Sequence, residues 1–199
     1  MRLLLVRHAL CDPVGVAIAG RAPGVSLNAA GRAQLAPLVA RVERRLGPAR
    51  PDLVLASPLA RTQETAGAIA RAYGLPVTAE PALVELDFGR WTGRTIASLD
   101  GDPDWTAFNT YRGGTPAGGA ELQVAVQARA AGALLARARA APDATVVAVS
   151  HGDVCKAVLG HLLGVPVDLQ HRLEVSPAGV SEVELRPWGP RVLAVNDLS

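Results

Sequence analysis

Three short apolar runs in this chain each end in side chains able to handle an anion. Leu3 to Val6 ends in Arg7-His8, Leu53 to Ala56 leads into Ser57-Pro58-Leu59-Ala60-Arg61, and Val146 to Val149 leads into Ser150-His151-Gly152-Asp153. A guanidinium forks two oxygens of a phosphoryl group, a helix N-terminus offers unpaired N–H groups, and neutral imidazole carries a nucleophilic lone pair. Taken singly, each feature has an ordinary explanation. A histidine at a strand end is commonly a hydrogen-bonded structural group, an arginine in a first helical turn is commonly solvated, and Ser-Pro-Leu is a common helix start. Two arginines and two histidines at three separate strand ends make a stronger case, for a site suited to a phosphate dianion.

That reading requires the three runs to lie side by side. Each is too short for a helix and apolar throughout, as a strand covered on both faces must be. Between them Leu35, Leu38, Val39, Val42 and Leu46 recur at helical spacing, and Leu59, Thr62, Ala66, Ile69 and Tyr73 nearly so. Alternation of strand and helix predicts an α/β fold, a three-layer αβα arrangement around a mostly parallel sheet, and ligands of such sheets bind outside the carboxyl ends of the strands. Asn28 is expected to cap the first helix, with a kink or break at Pro37, and Ser57-Pro58 to start the second with serine as the cap. Further helices are expected from about Ala120 to Ala141 and from about Asp153 to Leu163, the last closed by Gly164. Val180 to Val195 alternates apolar and polar positions around Pro187-Trp188-Gly189-Pro190, the pattern of an antiparallel hairpin at the sheet edge. Asp87 to Gly119 is expected to be mostly loop with one short helix near Ile96.

Composition narrows the partners. The 199 residues suit a single domain, 1–199, and 49% of them are hydrophobic, enough for a buried core. A net charge of +2 gives little general attraction for nucleic acid, so any anion binding must be local. No run approaches the roughly 20 apolar residues that span a bilayer, and the apolar start before Arg7 is too short for a signal peptide. The two cysteines, Cys11 and Cys155, show neither CxxC nor zinc-type spacing, and a reducing cytoplasm is the simplest setting for them. Even if Cys11, His8, His151 and Cys155 meet in space, the arginines would repel a cation. No metal and no cofactor are therefore expected. Arg7 and Arg61 are also expected to favour the Cys11 thiolate, making an exposed thiol beside the pocket oxidation-sensitive.

In its motifs the chain resembles the histidine phosphatase superfamily, in its phosphoglycerate mutase-like branch. The opening Arg-His-Gly block of that family is matched by Arg7-His8-Ala9, and its Ser-Pro-Leu-x-Arg-x-x-x-Thr-Ala block by Ser57 to Ala66. Leu83-Val84-Glu85 with Phe88-Gly89-Arg90-Trp91-Thr92-Gly93 matches the third block, and Val149-Ser150-His151-Gly152 the fourth. The loop Gly20 to Leu27 and Gly118-Gly119-Ala120-Glu121 fit as well, so the likeness runs along nearly the whole chain. It implies that His8 is a nucleophile forming a phosphohistidine, that Glu85 is the general acid and base, and that Arg7, Arg61 and His151 hold the phosphoryl group. Asp153 is the alternative acid, and its expected role is to cap the helix that follows it. Arg21 and Arg90 are candidates for substrate-loop contacts. The partner implied is a small phosphorylated metabolite.

Three positions depart from the family pattern. Ala9 stands where glycine is usual, Cys11 where a small hydroxyl residue is usual, and no asparagine matches near Pro13-Val14, so phosphate binding is expected to be retuned. Hydrolysis is favoured over a phosphomutase reaction because a mutase needs added cations for a second anionic group, and the short segment after Glu85 offers only Arg90, Arg94 and Arg112. A non-catalytic phosphoanion-binding relative is the remaining alternative.

Overall fold

The computed structural model describes residues 1–199. Six strands form one sheet in the order β3-β2-β4-β1-β5-β6. β1 (Arg2–Arg7), β2 (Leu53–Ala56), β3 (Val77–Ala79) and β4 (Thr145–Ser150) run parallel. β5 (Val180–Arg186) lies antiparallel to β1, and β6 (Gly189–Asp197) completes the edge hairpin.

The continuous apolar runs are explained by what covers the two faces. Successive side chains of a strand point to opposite sides. Leu3 and Leu5 of β1, with Val146 and Ala148 of β4, join one core cluster; Leu4 and Val6, with Val147 and Val149, join the other. α2 (Leu35–Leu46) and α3 (Ala60–Tyr73) cover the second cluster, while α5 (Gln123–Ala140) and α6 (Gly152–Leu163) cover the first. This is the expected αβα sandwich. No helix is long and apolar enough to cross a membrane.

Local starts and stops follow side-chain chemistry, with some differences from expectation. Asn28 caps α1 (Ala29–Ala33) by accepting from Gly31 N at 2.8 Å. The chain breaks at Gln34, three residues ahead of Pro37, which sits in the first turn of α2, where a missing N–H costs no intrahelical bond. Gly164 closes α6 in the left-handed conformation, φ 71°. α3 starts at Ala60 rather than at Pro58, and its cap residue is Leu59. The Ser57 hydroxyl accepts from Leu59 N only at 3.4 Å and makes its shorter bond to His151, at 2.8 Å.

Asp87 to Gly119 holds more structure than its composition suggests. Besides single turns of 3₁₀ helix at Gly89–Trp91 and Ala97–Leu99, it contains the helix α4 (Pro103–Thr110), capped by Asp102. Trp91 stacks edge-on against Trp105 (5.2 Å between centroids) and Phe108 (5.5 Å), and Phe88 meets Phe108 at 6.2 Å. Aromatic burial of this kind supplies the stabilisation that glycine and proline content conceals. The short edge strand β3 was likewise not foreseen.

Candidate active site

The carboxyl ends of β1, β2 and β4 open on one cleft of about 200 Å³, lined among others by Arg7, His8, Arg61 and Glu85. His151 stands directly behind it, its ring 5.2 Å from that of His8 and its Nδ1 4.0 Å from Glu85 Oε2. The five residues singled out in the sequence therefore meet at one sheet edge.

Backbone geometry sets the state of His8. Its Nδ1 lies 2.7 Å from Ala9 O. A carbonyl oxygen can only accept, so Nδ1 carries the proton and Nε2 keeps its lone pair. Burial, helped by Arg61 and Arg7 and opposed by the bond to Ala9 O, brings the His8 pKa down to about 3. The ring is neutral and nucleophilic throughout the physiological range.

Both arginines, Arg61 buried and Arg7 half-buried, carry buried nitrogen atoms with no partner in the protein. Arg61 is 1% exposed; its Nη2 donates to Gly20 O at 2.8 Å, while Nε and Nη1 are buried without a partner. Arg7 donates from Nη1 to Val175 O at 2.7 Å and leaves Nε unpartnered. Buried polar groups are nearly always satisfied, and unpaired donors on a buried cation are costly. His151 Nδ1 is a further unpartnered atom. Its Nε2 lies 2.8 Å from Ser57 Oγ; in the tautomer in which the hydroxyl donates to Nε2, Nδ1–H is the donor left on the Glu85 side. Burial first, then Arg61 and His8, keep His151 well below the ordinary histidine pKa. A Cβ at Gly152 would lie 3.3 Å from Arg7 Cζ, so a side chain there would displace the guanidinium by a few tenths of an ångström.

Glu85 is the counterpart of these cations. Burial, with the nearby charge of Asp153, raises its pKa to about 7 against the Leu86 N–H and the two arginines. Its carboxyl can thus both give and take a proton near neutrality. Its main chain is clamped: Arg21 Nε donates to Glu85 O at 2.8 Å and Arg129 Nη2 at 3.3 Å, and both arginines are held by Glu121.

Several expectations are corrected. Arg21 belongs to this clamp and does not line the cleft; Arg90 also lies outside it, ion-paired with Asp104. Asp153 does not cap α6, whose cap residue is His151; it pairs instead with Arg112 at 2.8 Å. Cys11 lines the cleft but is 1% exposed, and burial raises its pKa despite Arg61 and Arg7, so the thiol stays protonated. Ala9 is buried among apolar neighbours and is not part of the lining, so its methyl does not narrow the phosphate site. Ser57, Glu121 and Arg129 were missed as working residues. Ser57 had read as a helix cap, while Glu121, at the end of Gly-Gly-x-Glu, could have been found by asking what that acid holds.

The roof of the cleft is built by pairing two loops. Ile18 N donates to Arg94 O at 2.9 Å and Ile96 N to Val16 O at 2.9 Å, laying the segment after His8 against that after Glu85.

Residues 3–198 match the model of the histidine phosphatase superfamily (branch 1). The probable phosphoglycerate mutase GpmB of Enterobacter sp. (strain 638) is 35% identical over 143 residues, 68% of this chain, but the match spans only 65% of that relative's length. Glucosyl-3-phosphoglycerate phosphatase of Mycobacterium tuberculosis (strain CDC 1551 / Oshkosh) is 32% identical over 179 residues, covering 83% of this chain and 77% of the relative. A solved structure of the mycobacterial glucosyl-3-phosphoglycerate phosphatase, in complex with VO3, superposes with a TM-score of 0.82 at 30% identity, over 98% of both chains.

Proposed function

Because the chain belongs to the histidine phosphatase superfamily, branch 1, we propose that it is a phosphomonoester hydrolase working through a phosphohistidine on His8, without a metal. The observation that carries this reading is the pair Arg7 and Arg61, whose buried nitrogen atoms lack a protein partner, beside a neutral His8. In the first step the Nε2 lone pair of His8 forms the N–P bond as the ester P–O bond breaks, and Glu85 gives its proton to the departing alcohol oxygen. In the second a water oxygen attacks phosphorus, Glu85 takes its proton, and the N–P electron pair returns to Nε2. Arg7, Arg61 and His151 Nδ1–H stabilise the charge on the transferring oxygens.

A phosphomutase reaction is the alternative suggested by the likeness to GpmB. It needs free cations for a second anionic group. Arg90 is paired with Asp104, Arg94 with Asp102 and Arg112 with Asp153, which supports hydrolysis. Turnover of p-nitrophenyl phosphate in excess chelator, with phosphate trapped on His8 by acid-free quenching, is the expected result. Full loss of activity in chelator, label on another residue, or tight binding of phosphate esters without turnover would refute the proposal.

A further inference from the structure

Beyond the phosphoryl site the cleft is apolar on most sides. Val14, Ala17, Ile18, Phe88, Ile96 and Trp105 form its walls, and Ile96, 38% exposed, stays open to solvent. Only two charged groups line this outer half, Arg112 and Asp153, and they cancel each other.

The geometry of that pair is tight. Arg112 Nη1 donates to Asp153 Oδ1 at 2.8 Å, Nη2 donates to Asn109 Oδ1 at 2.9 Å, and the guanidinium lies over the Phe108 ring, 4.6 Å from its centroid. Its Nε alone is buried without a partner. A guanidinium so held is charge-balanced by Asp153 and pinned by stacking, so it brings no net positive charge to a second anionic group. The Asp153 carboxylate meanwhile stands close enough to Glu85 to raise its pKa, so its field reaches the proton-transfer centre. A second anionic group on the substrate would lose its hydration here with no net positive charge to replace it, whereas an apolar body would bury surface against the walls.

Resting on the phosphatase reading, we infer that the alcohol half of the substrate is uncharged and mainly apolar, and that the Asp153–Arg112 pair is the specificity determinant excluding a second anion. The Nε–H of Arg112, buried without a partner, suits a neutral acceptor such as a hydroxyl or carbonyl oxygen. The cleft, about 200 Å³, lies below the usual range of roughly 300–1,000 Å³ for ligand pockets, so the alcohol is small.

The test separates binding from turnover. Calorimetry on the full chain compares benzylphosphonate with 2-carboxyethylphosphonate, which share the phosphoryl mimic and differ in the charge of the tail. Benzylphosphonate is expected to bind at least about tenfold more tightly, the effect of one modest charge interaction. Asp153→Asn frees Arg112 of its neutralising charge and should shrink that ratio by about tenfold, chiefly by tightening the carboxylate ligand. Ile96→Ala, at a partly exposed wall position, should weaken benzylphosphonate several-fold and leave 2-carboxyethylphosphonate unchanged. Equal or reversed preference in the unmodified chain, or a ratio unmoved by Asp153→Asn, overturns the inference. Hydrolysis of benzyl phosphate and 3-phosphoglycerate, measured in parallel, reports on the other question. If neither turns over, the phosphatase reading fails while the phosphonate ratio still decides the character of the cleft.

Discussion

Two clusters of arginine lie at the two ends of this sheet's story and have opposite fates. On the face of α2, Arg41 donates to Ala178 O at 3.0 Å and to Leu198 and Ser199 carbonyls, and Arg45 pairs with Asp197 at 2.6 Å and with Glu182 at 3.6 Å. Arg2 closes that network on Glu182 at 2.8 Å. At the strand ends, Arg7 and Arg61 keep three buried N–H-bearing atoms without a partner, Arg7 Nε, Arg61 Nε and Arg61 Nη1. The first cluster ties β5, β6 and α2 together. The second is left without partners by the protein's own groups, as suits atoms that a ligand or solvent completes. Cation density therefore does not mark a site; cations whose buried nitrogen atoms lack partners do.

Substitutions can break this contrast, beginning with the strongest expected effect. His8→Ala should abolish both turnover and phosphoenzyme labelling in a quench experiment, and an undiminished rate would end the nucleophile assignment. Glu85→Gln should lower kcat by about 10²–10⁴-fold on an alkyl phosphate, the usual general acid–base factor. With p-nitrophenyl phosphate, whose leaving group needs little protonation, the same variant should accumulate phosphohistidine because water is no longer activated. Arg61→Ala should reduce kcat by about 10²–10³-fold, as for loss of one oxyanion donor, with little change in melting temperature.

The structural cluster should respond the other way. Arg41→Ala is expected to leave kcat unchanged and to destabilise the fold by about 1–3 kcal/mol, since it strips the carbonyls it serves. Each kcal/mol should appear as a melting shift of roughly 2–4 °C. A kinetic defect in this variant would blur the contrast.

The smallest expected effect is one of pH. In an unfolded chain a glutamate ionises near ~4.3, whereas Glu85 in the fold holds its proton up to about 7. Below both values each state is protonated and the group's stabilising contribution is fully present. It is lost as pH rises through the folded value, because the native state must then ionise a buried carboxyl. Glu85→Gln cannot ionise, so it should be more stable than the unmodified chain near about pH 8, by on the order of 3–4 kcal/mol, and no more stable near about pH 4. Denaturant titrations at the two pH values check this; an equal difference at both would place the raised pKa elsewhere.

Much of the site was legible because it depends on local order along the chain. Leu3 to Val6, Leu53 to Ala56 and Val146 to Val149 are apolar at every position, which only a strand covered on both faces requires, and parallel strands place their carboxyl ends together. His8, Arg61 and His151 follow from that alone, and Asn28 and Gly164 announce their caps by side-chain chemistry. Other features depend on who sits opposite. The Ser57 hydroxyl has a choice between helix α3 and His151, and the imidazole 2.8 Å away decides it. In sequence Arg21 and Arg112 are cations a substrate could meet and Asp153 a helix cap; packing supplies Glu121 to the first and makes partners of the other two. Cys11 was read as an activated thiol because its cationic neighbours were visible and its burial was not. The helix α4 was hidden by its glycine- and proline-rich flanks, and is held by Trp91, Trp105 and Phe108 meeting across the sequence. The sequence by itself determined the three buried parallel strands β1, β2 and β4, the edge hairpin and the residues at the strand ends, since periodicity and apolar runs are local properties of the chain. Tertiary structure alone decided which charges remain unpaired and which protons are held, because desolvation and pairing depend on neighbours brought together only by folding.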